Sequence, residues 1–156
     1  MTAAALAAVL SIAVPASATI VPGHGMARIA LRMSEAQVRA RLGAPARVTR
    51  WRGALGSVVI RLHYRLVDVD LQKLGSRPIV VSVTTTRPGE RTTSGVGIGS
   101  PISAVARLPG AHCWREARRR YCGVGNRDKV LVRFTMFWIG ETQRVTLISV
   151  SLVVNS

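Results

Sequence analysis

Lysine is nearly absent from this sequence: a formal net charge of +15 rests on 20 Arg and 2 Lys against 7 acidic residues. A surface so strongly of one sign attracts polyanions without selecting among them. Codon composition alone produces an arginine bias, so the bias by itself marks no function. Aromatic residues are also scarce, 4% of a chain that is 48% hydrophobic. The core of a single 156-residue domain must therefore come mainly from Val, Leu, Ile and Ala. Long apolar runs are missing too. The longest, Ala3 to Val14, falls short of the roughly 20 residues a membrane-spanning helix needs, so no transmembrane segment is expected.

That run is followed by Pro15 and by Ala16-Ser17-Ala18, a small-x-small cleavage site before Thr19. Residues 1–18 thus read as a secretory signal, although no Lys or Arg follows Met1. The competing reading is an Ala-rich helix of a cytosolic protein. Without a Cys after the cleavage site no lipid anchor is expected, and the protein is placed in the cell envelope or outside the cell. Cysteine is limited to Cys113 and Cys122. In an exported chain an even pair points to a disulfide. A zinc site wants four ligands, and only His112 stands nearby.

What is present is punctuation. Residues 19–28 read as a flexible lead, and a single domain spans 29–154. Ser34 as N-cap, Gln37 three residues on, Gly43 as C-cap and Pro45 beyond it predict a two-turn helix held by packing Val38 and Leu42 onto a sheet. From Ser57 the period becomes two: Val58, Ile60, Leu62 and Tyr64 point one way, Val59, Arg61, His63 and Arg65 the other. Val67, Val69 and Leu71 then alternate with Asp68 and Asp70, so a turn or bulge is expected near Arg65-Leu66. A third strand covers Ile79 to Thr86.

Leu31, Val38 and Gly43 return as Ile98, Val105 and Gly110 at one offset. Ser100 followed by Pro101 starts a second helix, expected to be slightly longer than the first. A hairpin from Cys113 to Cys122, a strand from Lys129 to Ile139, a turn at Gly140-Glu141 and a strand from Arg144 to Val153 follow. The expected fold class is α+β: two tandem repeats, 29–90 and 93–154, each a short helix packed on an antiparallel β-meander, the sheets forming one curved surface.

The run from Met33 to Pro45, a meander, and then Gly95-Val96-Gly97-Ile98-Gly99-Ser100 before a helix together resemble small exported bacterial proteins of the beta-lactamase-inhibitory-protein-like fold. That class also includes the outer-membrane assembly lipoprotein E. The resemblance covers about residues 29 to 154. It implies two tandem helix-plus-sheet units whose curved surface binds other proteins, and inhibition of a lactamase by fold analogy. The absence of a lipobox Cys departs from the lipoprotein members.

The Gly95–Ser100 stretch could cradle a phosphate on free backbone N–H groups. It lacks the Gly-Lys-Ser/Thr ending of a P-loop, and the bland reading, a connector whose glycines allow a sharp path, is preferred; no cofactor is expected. Asp68 and Asp70, roughly 7 Å apart on one strand face, form either the acid pair of a hydrolase or a weak calcium site, or they pair with Arg61 and Arg65 across strands. Ion pairing is preferred, worth about 0.2–1 kcal/mol per pair, and no metal is expected. His24, His63 and His112 are scattered without a recognisable nucleophile, so no catalytic residue is assigned and the protein is expected not to be an enzyme.

The densest charge lies in Trp114-Arg115-Glu116-Ala117-Arg118-Arg119-Arg120-Tyr121. With the turn at Ala117-Arg118, Cys113 falls opposite Cys122 and Trp114 opposite Tyr121. This tip is either a solvated loop or a contact for an anionic partner. No nucleic-acid-binding signature appears, and export would remove the chain from the nucleoid. The expected role is non-enzymatic binding of a protein, or envelope structure, by a monomer. The rival role is a polyanion or envelope-polymer binder acting by charge. Expected contacts are Arg61, His63 and Arg65 on the first strands, Arg133 on a later one, and Arg118, Arg119 and Arg120 at the tip.

Overall fold

The computed structural model describes residues 19–53, 56–125 and 132–152. The expected signal in 1–18, the start of the strand expected from Lys129, and Val153 lie outside the described residues.

The period-two stretches become strands. β3 (Arg47–Arg52), β4 (Val58–Tyr64), β5 (Val67–Lys73) and β6 (Pro78–Thr85) follow one another, then β7 (Ala111–Glu116), β8 (Arg119–Val124), β9 (Arg133–Ile139) and β10 (Val145–Leu152). All eight belong to one antiparallel sheet in the order β3-β4-β5-β6-β10-β9-β8-β7. Strand β6 pairs with β10 from Ser82↔Ser151 to Thr85↔Ile148, so no boundary divides the sheet. A small hairpin of β1 (Gly25–Met26) and β2 (Ile29–Ala30) precedes it.

The expected α+β class is corrected here. The helices are α1 (Glu35–Leu42) and α2 (Ile102–Ala106), of eight and five residues, too small to form a layer against eight strands. The molecule is a continuous sheet with short helical caps, not two helix-plus-meander repeats. The first helix is punctuated as the sequence indicates: the Ser34 side chain and the Gln37 backbone, and the Ser34 backbone and Gln37 side chain, close a capping box, and the Gly43 N–H reaches the Arg39 carbonyl. The second is shorter than the first, not longer. Its N-cap is Pro101, without a side-chain hydrogen bond, because the Ser100 hydroxyl accepts instead from the Gly97 N–H.

Parity decides which face is covered. Leu62, Val67, Val69, Leu71, Val83 and Ile148 project to one side and share a cluster with Val38 of α1 and Val105 of α2. Val80 exchanges backbone hydrogen bonds with Arg32 and Met33, and Val145 with Gly99 and Ser100, which seats both helices over that side. Residues 19–28, expected as a flexible lead, are built into the same cluster: Ile20 and Met26 are each 1% exposed, and the Thr19 and Ile20 N–H groups donate to the Arg91 carbonyl. The opposite side carries no helix among the described residues.

Strand β3 had no counterpart in the sequence reading. Its residues Arg47-Val48-Thr49-Arg50-Trp51-Arg52 are mostly exposed, as befits an edge strand that charge protects from further pairing. The turn at Arg65-Leu66 is where the parity flip puts it, with Leu66 at φ 63°.

Candidate functional site

The uncovered face has a polar end and an aromatic end. At the polar end, register places Arg61 opposite Asp70 and His63 opposite Asp68. Arg61 donates from Nε to Asp70 Oδ1 at 2.6 Å and from Nη2 to Oδ2 at 2.7 Å, a bidentate pair. That hydrogen bonding raises the Arg61 pKa further, against the desolvation that lowers it. The same guanidinium lies 5.0 Å from the centre of the Trp51 ring. His63 bridges three strands: Nδ1 is 2.9 Å from Asp68 Oδ1 and Nε2 is 2.9 Å from Thr49 Oγ1.

Asp68 therefore pairs with His63, not with the expected Arg65. Arg65 is at the β4–β5 turn, where its backbone carbonyl accepts from the Arg87 guanidinium. The two carboxylates are held by different partners on separate rungs, Asp70 by Arg61 and Asp68 by His63, and do not form one acid pair. The hydroxyl–imidazole–carboxylate chain from Thr49 through His63 to Asp68 was not foreseen, because β3 was missed. Its atoms tie three strands together in the manner of cross-strand pairs.

Between the ends lie hydroxyls. Ser82 Oγ is 3.2 Å from Ser149 Oγ and 3.0 Å from Ser151 Oγ, across the β6–β10 seam. At the far end the face turns aromatic. Trp114 stacks on Tyr121 at 5.7 Å between ring centroids and on His112 at 5.1 Å, while Tyr121 meets Trp138 edge-on at 5.9 Å. Phe134 completes the cluster, 6.4 Å from Trp114. Gly123 makes this possible: a Cβ there would come within 2.3 Å of the Phe134 ring. On the covered side of the same hairpin Cys113 and Cys122 form a disulfide, with Cys122 wholly buried.

The hairpin tip opens a cleft of about 600 Å³ toward the β9–β10 turn, lined by Arg115, Arg118, Arg119, Arg120, Trp138 and Gln143 among others. Arg120 is fixed there by Nη1 donating to Gln143 Oε1 at 2.5 Å. Of the expected contacts, Arg61 and His63 share the polar end, and Arg118, Arg119 and Arg120 share the cleft. From β4 to β8 is five strand spacings, roughly 24 Å. Arg133 belongs to neither: its register partner Leu152 is a core residue, and its Cβ lies 3.4 Å from the position a Cβ on Gly23 would take.

The glycine-rich stretch offers no phosphate cradle. The Gly95, Val96, Gly97, Gly99 and Ser100 N–H groups donate within the protein, to Thr92 O, Thr92 Oγ1, Ser100 Oγ, Val145 O and Gly97 O. Arg91 also donates to the carbonyls of Gly95 and Ile98 and to the Ser100 hydroxyl, so a guanidinium fills the loop. Among the described residues no group of three His, Cys, Asp or Glu could hold a metal, and no helix is long and apolar enough to cross a membrane.

Neither a family model nor a curated protein matches the chain. Among solved structures it is similar to an extracellular protein containing an SCP domain from Bacillus anthracis, with TM-score 0.48, 13% identity, and coverage of 78% of this chain and 43% of that one. It is also similar to a cysteine-rich secretory protein from Staphylococcus aureus, with TM-score 0.46, 12% identity, and coverage of 78% and 44%. The chain thus spans less than half the length of either. The resemblance drawn from Met33–Pro45 and Gly95–Ser100 is corrected by the architecture itself: one continuous eight-stranded sheet with two short helices, not two helix-plus-meander units. Short capped helices and glycine turns satisfy that motif without the architecture.

Proposed function

We propose that this is an exported, non-enzymatic binding protein whose partner meets the uncovered face of the sheet and the cationic cleft at its margin. One observation carries the reading. The chain has 3 Trp, 2 Tyr and 2 Phe, and five of these seven, Trp51, Trp114, Tyr121, Phe134 and Trp138, lie on the uncovered face. A fold short of aromatics would be expected to place them in its core; this one places Phe137 there and builds the rest mainly from aliphatic residues, while of the five on the face only Phe134 is buried. Aromatic side chains held rigidly at a surface are the groups that dominate recognition energies. Export is supported by the leader-like run in 1–18 and by the disulfide, a bond that persists in oxidising compartments.

The test is capture from a cell-envelope fraction by the immobilised, oxidised protein. Trp51→Ala and Trp138→Ala, each checked for folding by circular dichroism, are expected to lower the captured amount at least fivefold. Leu66→Ser, which alters an apolar side chain 49% exposed at the β4–β5 turn and outside the strands, is expected to leave it unchanged. Equal capture by all three variants would remove the uncovered face from the interaction.

A further inference from the structure

We infer that the hairpin cleft takes a sulfate- or phosphate-bearing glycan, a reading that rests on the binding role proposed above and names its ligand. The charge pattern is the first argument. Of the other arginines, Arg39, Arg61 and Arg87 are in ion pairs and Arg41, Arg91 and Arg144 donate to backbone carbonyls, while Arg47, Arg50 and Arg52 are spread along the edge strand β3 and do not converge. In the cleft the Arg115, Arg118 and Arg119 side chains make no ion pair within 4 Å among the described residues and Arg120 donates to the neutral Gln143, while Glu116, opposite Arg119 in the register, and Glu141 in the lining set two carboxylates against four guanidinium groups. Four guanidinium groups within six residues repel one another, and an oxyanion between them removes that repulsion. The guanidinium fork matches sulfate and phosphate oxygens two at a time.

The second argument is what else lines the cleft. Trp138 presents an indole edged by Tyr121, and Gln143 and Thr146 add an amide and a hydroxyl. A simple anion would use the arginines and leave the indole bare. A sugar ring uses both, its C–H face on the ring and its hydroxyls on the polar groups, with the charged substituent on the guanidinium groups. The volume, about 600 Å³, is within the roughly 300–1,000 Å³ of ligand sites. A nucleobase would also stack on Trp138, but the hairpin that carries the arginines is itself closed by Cys113–Cys122. Disulfides belong to compartments outside the reducing cytosol, where the abundant polyanions are glycans.

The experiment uses the oxidised full chain and fluorescence anisotropy at physiological salt. The probes are a labelled sulfated hexasaccharide, its unsulfated counterpart, and an oligodeoxynucleotide of equal charge. The expected result is saturable binding of the sulfated probe, at least tenfold tighter than either control. Arg118→Gln/Arg119→Gln, which changes two exposed side chains at the hairpin tip, is expected to weaken binding at least tenfold and to lower the salt slope by about two. Arg50→Gln/Arg52→Gln, which removes the same charge from the opposite edge strand, is expected to change it less than twofold. Equal weakening by the two double variants, equal or tighter binding of the oligonucleotide, or no binding of the sulfated probe would each overturn the assignment. If the glycan fails while envelope capture still depends on Trp51 and Trp138, the binding role stands and its glycan ligand falls.

Discussion

At the β3–β4–β5 end of the uncovered face, Asp70 is clasped by Arg61 and Asp68 by His63, so both carboxylates there are used up within the sheet. At the β7–β8–β9 end the arrangement is reversed. The hairpin is joined by a disulfide and an aromatic stack, and its four arginines line a cleft in excess over the nearby carboxylates Glu116 and Glu141. Both ends are antiparallel, and each is three strands wide. The difference is in what holds the strands: directional ion pairs at one end, covalent and apolar contacts at the other. An end that does not need its charges for cohesion leaves them available to a ligand, which is why the cleft and not the Asp68/Asp70 pair is the better site.

The contrast can be broken most sharply at the disulfide. Cys113→Ser/Cys122→Ser, or reduction, removes the one covalent tie of the aromatic end. A bridge closing about 10 residues is worth about 3 kcal/mol in the chain-entropy account. The loss should appear as a lower midpoint in denaturant, with an unchanged slope if the rest of the sheet still unfolds as one unit. An unchanged midpoint would mean that the aromatic contacts alone fix the hairpin.

The next effect tests those aromatic contacts. Gly123→Ala places a methyl group 2.3 Å from an atom of the Phe134 ring and 3.2 Å from one of Trp114, so the rings must move. Overpacking of this kind costs about 1–3 kcal/mol. It should also red-shift the tryptophan emission as Trp114 becomes wetter. A substitution without effect on either measurement would show that the cluster is loosely packed and carries little of the hairpin's stability.

How much of this could be read from the sequence differs between the same two ends. The hairpin was fully legible, because a Cys, an aromatic, a small residue at the turn and the mirrored order on the return fix a register in which Cys113 meets Cys122 and Trp114 meets Tyr121. The α1 cap was legible for the same local reason. The polar end was legible only in part: alternation gave β4 and β5, but β3 hides behind Arg47, Arg50 and Arg52, since an edge strand half in water has no apolar period to show. Without β3, Thr49 had no place beside His63. The union of β6 with β10 was not legible at all. It joins residues 63 apart in sequence at the nearest pair, Thr85↔Ile148 (148 − 85), and 67 and 69 apart at the Ser82–Ser149 and Ser82–Ser151 hydroxyl contacts, and no local pattern announces a pairing of that range. Assigning each half its own sheet followed from that, and so did the mistaken family resemblance.

The smallest expected effect tests the polar end. Arg61 is about a third exposed and Asp70 less so, so the pair is neither a freely hydrated surface bridge nor a buried ion pair. Exposed pairs contribute about 0–1 kcal/mol, and hydrogen bonds to charged groups about 1.5–3 kcal/mol when shielded. With the bidentate geometry discounted for solvent, Arg61→Gln should cost about 1 kcal/mol. It also removes the cation over Trp51. Because Asp70 stays behind without its partner, Arg61→Gln/Asp70→Asn should be less destabilised than the single variant, a coupling that a double-mutant cycle measures directly. High salt should narrow the gap between wild type and Arg61→Gln, since screening weakens what the variant has already lost. A cycle showing no coupling would mean that strand pairing and the Thr49–His63–Asp68 chain hold this end without the ion pair, and its charges would then be as available to a partner as those of the cleft.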